Sequence, residues 1–171
     1  KRLIITIFVC CFIMMSFSAN TKVTLSKEKK LKAAYLFNFT RFIEWPNNGA
    51  NKQPSSIHIC IDDSKEFYQF LHQMVSSRAV DKSQGEVKVL QLEQAFECDL
   101  LYVTSTQKNV NVNANLSNTV IIVDSNEVGF PEQSMAFYKE KGRLRFEIDL
   151  EKIKSLDITF SSELLKLARI K

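Results

Sequence analysis

The side chains able to do chemistry fall into a few sets. Phe37, Arg41 and Trp45 stand four residues apart, so on one helix the guanidinium would lie between two rings, a contact of about 0.5–1 kcal/mol where exposed. Rings and arginine are also the side chains that anchor protein interfaces. Three covers for such a ladder stay open: the same subunit, a second copy of the chain in a homodimer, or a foreign partner. Arg143 and Arg145 alternate along one stretch and could hold an anion or face an acidic partner. The plainer reading is a solvated strand face on which Glu147 balances the charge. Asp62, Asp63 and Asp124 each follow an apolar stretch, the arrangement of an acidic phosphoacceptor or divalent-ion pocket, although aspartates there also cap helices.

Other chemistries lack their residues. His58 and His72 are too isolated for zinc, which takes three or four ligands at recognisable spacing. There is no GxSxG, no Walker sequence and no glycine-rich nucleotide loop, and four glycines leave little room for one. No metal and no cofactor are expected. An enzyme here would be an unrecognised hydrolase.

The compartment follows from the first residues. Lys1 and Arg2 precede an apolar run from Leu3 to Met15, and Ser16-Phe17-Ser18 supplies small residues for a signal peptidase. The run is shorter than the roughly 20 residues that cross a bilayer. Residues 1–19 therefore read as a cleaved secretory signal peptide, and 20–171 as one α/β domain sent to an oxidising space. Removing Lys1 and Arg2 from a formal charge of +4 leaves +2, which withdraws support for a nucleic-acid partner. Cys10 and Cys11 leave too, and neither is set in a lipobox, so no lipid anchor is expected. What remains is Cys60 and Cys98, too far apart for a CxxC redox motif. Two cysteines in an oxidising space are usually bonded, with two separate buried thiols as the alternative.

These side chains need elements to position them. Leu31–Pro46 is the most aromatic stretch and reads as a helix, capped by Ser26 and stopped before Pro46. It has two apolar faces. Tyr35, Leu36, Phe39, Phe42 and Ile43 make one, and Ala33, Ala34, Phe37 and Trp45 make the other, so the helix must be covered twice. Ile57–Ile61 alternates as a strand with Cys60 opposite the isoleucines, followed by a capped helix from Lys65 to about Ser76. Val87–Leu92, the apolar run within Asp99–Thr104, and Thr119–Val123 read as further strands, and Gln107–Asn118 as a weak helix. Met135–Tyr138 and Arg143–Leu150 bracket the turn Lys139–Gly142 as an antiparallel hairpin. Short helices follow at Glu151–Ser155 and Glu163–Arg169. The sum is a single-domain α/β sandwich: a mixed β-sheet, helices on both faces and a C-terminal antiparallel hairpin.

Four stretches in this order, KAAYLFNFTRFIEWP, IHICI, CDLLYVTS and GRLRFEIDLEKIKSLDITFSSELLKLARI, together resemble the YfiR family. The resemblance spans essentially the whole chain after the leader. It implies a periplasmic α/β protein that binds the sensor portion of a membrane-bound diguanylate cyclase, YfiN, and represses it. Release then raises c-di-GMP and promotes biofilm, and reducing stress at the cysteine pair is one implied trigger. Other membrane signalling proteins are partners of the same kind. The family commonly has Gly-Gly where this chain has Gln133 and Ser134, and Asn where it has Asp149. A small-molecule-binding module in the periplasm is the competing reading; it needs a concave pocket with converging polar groups, whereas a regulator needs an exposed docking patch.

Overall fold

The computed structural model describes residues 24–45, 56–78, 85–104, 116, 118–125, 130, 132–156 and 158–171. The expected signal peptide, Cys10, Cys11 and nearly all of the expected helix at 107–118 lie outside the described residues.

Helix α1 (Lys27–Phe42) starts where Ser26 accepts a hydrogen bond from the Lys29 amide, with Glu28 favouring the positive end of the helix dipole. It stops at Phe42, short of the expected end. Ile43 is already extended, and β1 (Ile43–Glu44) pairs antiparallel with β8 (Thr159–Phe160). The Ser161 amide donates to the Phe42 carbonyl at 2.9 Å, so one of the carbonyls left open at the helix end gains a partner from the far end of the chain.

The main sheet follows in alternation. Strand β2 (Ser56–Asp62) leads into α2 (Lys65–Ser76), capped by the Ser64 side chain, and then β3 (Glu86–Gln91). A 3-10 turn at Leu92–Gln94 precedes β4 (Leu100–Val103) and β5 (Val120–Val123), both buried along their whole length. Next come β6 (Met135–Glu140), β7 (Arg143–Ile148), α3 (Leu150–Lys154), β8, α4 (Ser162–Leu167) and β9 (Arg169–Ile170). The sheet order is β3-β2-β4-β5-β6-β7-β9, parallel throughout except for the β6–β7 hairpin. The two-residue turn of that hairpin has Lys141 at φ 50° and Gly142 at φ 74°, the left-handed pair that matches the twist of the strands.

The sheet divides two cores. The larger takes Ile57, Ile59 and Ile61 from β2 and buried side chains from all four α-helices, among them Leu36, Phe67, Ile153 and Leu164. The smaller lies on the other face, where Cys60, Leu101, Val103 and Ile121 meet Leu92, Ala95 and Cys98. The fold is thus a single mixed α/β domain, as expected from the alternation of strands and helices.

The C-terminus departs from expectation. The last helix ends at Leu167, because Arg169 and Ile170 pair with Glu147 and Ile148 as an edge strand. Tertiary pairing overrides local helical periodicity at both ends of this chain.

Candidate functional site

The helix end decides what becomes of the aromatic ladder. Because α1 stops at Phe42, Trp45 is not on the helix at all, and the Phe37–Arg41–Trp45 stack does not form. Trp45 is 6% exposed and belongs to the larger core. Phe37 is half-buried, and the cation over its ring is Arg78, with the guanidinium carbon 4.6 Å from the centroid. Arg41 is exposed. Arg78 follows the end of α2, and no local pattern in the sequence links it to Phe37.

The double cover comes from the chain itself. The most buried line of α1 runs through Lys32, Ala33, Leu36, Phe39 and Thr40, between the two expected stripes. One flank packs on the hairpin, where Tyr35 and Phe39 join Phe137 and Phe146 in a cluster with centroids 5.0–6.2 Å apart. The other flank turns toward α2. No second copy is needed to bury it.

The strand-end aspartates are answered by lysines of α1. Lys29 donates to Asp63 at 2.7 Å and Lys32 to Asp124 at 2.7 Å. Lys32 also meets Glu28 at 2.9 Å, one helical turn away, and Lys139 from the hairpin meets the other Glu28 oxygen at 2.7 Å. The buried Tyr102 hydroxyl donates to Asp124. Burial alone would lower the pKa of Lys32, but its bonds to Asp124 and Glu28 outweigh that and raise it. Hydrogen bonds from Lys139 and then Lys32 hold the Glu28 carboxyl below its ordinary range. Burial, followed by the Asp124 charge, pushes the Tyr102 phenol up.

Glu28, Lys32, Asp124 and Lys139 of this network line a cleft of about 470 Å³ with Ser125, Phe137, Tyr138 and Leu144. Its charges neutralise one another, two carboxylates against two ammonium groups, so it differs from a carboxylate pocket awaiting a divalent ion. Among the described residues no three His, Cys, Asp or Glu side chains group as a metal site. The sequence signal missed for this cluster is Lys32 itself, a lysine inside the apolar face of an amphipathic helix.

The outer face of the hairpin is organised differently. Tyr138, Glu140, Arg143, Arg145 and Glu147 share it, with Arg145 opposite Tyr138, Arg143 opposite Glu140 and Arg169 of β9 opposite Glu147. Glu147 is buried, and its carboxylate is taken by Arg169 and, more distantly, by Lys171 at 3.9 Å. The Arg169 guanidinium also lies over the Tyr138 ring, 3.7 Å from its centroid. Its bond to Glu147 raises the pKa of Arg169. Glu147 therefore does not balance Arg143 and Arg145, contrary to the plainer expectation. Both arginines are exposed, and neither has an ion-pair partner among the described residues.

Cys60 and Cys98 form a disulfide with their Cα atoms 5.8 Å apart, set in the smaller core. Phe96, 84% exposed, projects beside it.

The family model for YfiR/HmsC-like proteins matches residues 29–169. The chain belongs to the YfiR/HmsC-like family. The YfiR/HmsC-like match opens inside α1 and closes within β9, so it takes in both ends of the main sheet, the disulfide and the hairpin face. Gln133 and Ser134, in place of the family's glycine pair, precede β6; the Ser134 amide donates to Ile121 and its carbonyl accepts from Asp149. Asp149 caps α3 by accepting from the amides of Glu151 and Lys152. No curated protein matches the chain. Among the described residues no helix is long and apolar enough to cross a membrane.

Proposed function

We propose that this protein is a periplasmic regulator that binds the sensor portion of a membrane-bound diguanylate cyclase, or a similar membrane signalling protein, and represses it. Residues 1–19 direct export and are removed. Release of the partner then raises c-di-GMP inside the cell and promotes biofilm. The observation that carries this reading is the YfiR/HmsC-like match across nearly the entire fold, a family of regulators and not of catalysts. The electrostatics agree with it: the converging charges are paired with one another inside the cleft, whereas the unpaired arginines face outward, where a protein partner would meet them.

The cleft favours a second reading, a small-molecule-binding module. A ligand there would meet charges already paired with one another, which counts against it. The deciding experiment is a deletion strain assayed for c-di-GMP, repeated in a background lacking the neighbouring cyclase candidate. A rise that disappears in the second background is expected; no change in either background would sink the repressor reading.

A further inference from the structure

We propose that the outer face of β6–β7–β9 is the docking surface for an extended acidic segment of the partner, read by Arg143 and Arg145. This rests on the regulator reading, in which the partner is a protein. Charge sets the complement. With Glu147 consumed by Arg169 and Lys171, Arg143 and Arg145 stand on one strand face with no ion-pair partner among the described residues, and Glu140, opposite Arg143, offsets only part of their charge.

Spacing sets the conformation of the occupant. Arg143 and Arg145 are two residues apart on β7, so their side chains leave the same face about 6.5 Å apart. An extended segment with carboxylates at alternate positions repeats at that distance, and each carboxylate can take a guanidinium through two parallel hydrogen bonds. Lysine would offer the charge without the fork.

The floor of the site is fixed in advance. Tyr138 lies opposite Arg145 and is held under Arg169, whose other contact is the buried Glu147. On this protein's side, ordering costs on binding fall mainly on the two exposed arginines. A bilayer would instead favour flexible lysines around apolar side chains able to insert, and the ring on this face is already covered.

The test uses the full chain and a fluorescein-labelled peptide of alternating Thr and Glu, followed by anisotropy. Wild type is expected to bind it, more weakly at high salt. R143E/R145E should bind about tenfold more weakly or worse, and R143K/R145K should fall between them. Neither arginine makes an ion pair in the fold, but R143E would face Glu140, so R143Q/R145Q is the second comparison; its melting temperature should stay close to wild type while its binding falls. Equal binding by wild type and R143E/R145E, or no binding by wild type, overturns the proposal. So does flotation on phosphatidylglycerol vesicles that R143E/R145E abolishes while the peptide is ignored, since the occupant would then be a membrane. No cyclase enters this assay, so its failure is distinct from an unchanged c-di-GMP level in the deletion strain.

Discussion

Lys32, in the middle of α1, and Asp124, just past the end of β5, meet at 2.7 Å although 92 positions separate them. This bond ties the helix to the carboxyl end of the sheet, and the lysine side chain is only 6% exposed. Removing it leaves Asp124 and Glu28 without their shared cation. Lys32→Met is therefore expected to lower stability by about 1 kcal/mol despite keeping the apolar stem, because Asp124, part-exposed, keeps only the Tyr102 hydroxyl and Glu28 keeps only Lys139. Urea unfolding measures it; an unchanged midpoint would show that the bond contributes nothing.

The same network predicts the pH profile. Glu28 has a folded pKa below its ordinary 4.5, so its contribution is full above about that pH and is lost as pH falls through the depressed folded value. Lys32 and Tyr102 are raised above 10.5 and 10.0, so theirs is full below those values and is lost as pH rises beyond them. Melting temperature should hold a plateau between the two limbs. Lys139→Ala removes the first cause of the Glu28 shift, so acid should cost the variant less stability than it costs wild type. Parallel acid limbs in the two proteins would contradict the assignment.

Much of this architecture was legible because the strands are short, apolar and bounded by good caps: Ser26, Ser64 and Asp149 each do what their type and position imply. The elements that were misjudged owe their form to distant pairing. Nothing local tells Ile43 to leave a helix for Phe160, or Arg169 to leave one for Glu147. The same cause hid the partners of Phe37 and Lys32, since Arg78 and Asp124 are brought to them only by the fold. Compartment and count favoured pairing Cys60 with Cys98 over two separate thiols, and the structure bonds them.

That disulfide closes a loop of sequence separation 38. In the chain-entropy model it stabilises by about 4 kcal/mol, which for a chain of this size is roughly 10 °C or more in melting temperature. Cys60→Ala with Cys98→Ala is expected to lose that much, and a reductant should act on wild type but leave the double variant unmoved. Equal melting temperatures with and without reductant would remove the claim.

Trp45 is the sole tryptophan, which makes its burial measurable. A ring in the core should emit at short wavelength, shift to the red on unfolding and resist quenching by iodide. Strong quenching in the folded protein would place the ring outside the core and contradict its burial.

Arg169 and Glu147 form the lock on the last strand. The Glu147 side chain is 6% exposed while Arg169 is half-exposed, so the two halves of the pair should not respond alike. Arg169→Ala strands a buried carboxylate with only Lys171 at 3.9 Å to answer it, and also uncovers Tyr138. A loss of stability is expected. Glu147→Gln keeps the shape and a hydrogen-bond acceptor without the charge, so it should cost less. In the double variant the carboxylate is no longer there to be stranded, and part of the loss should return, giving a non-zero coupling in a double-mutant cycle. Additive losses would mean that Arg169 holds β9 through the tyrosine ring and not through the glutamate.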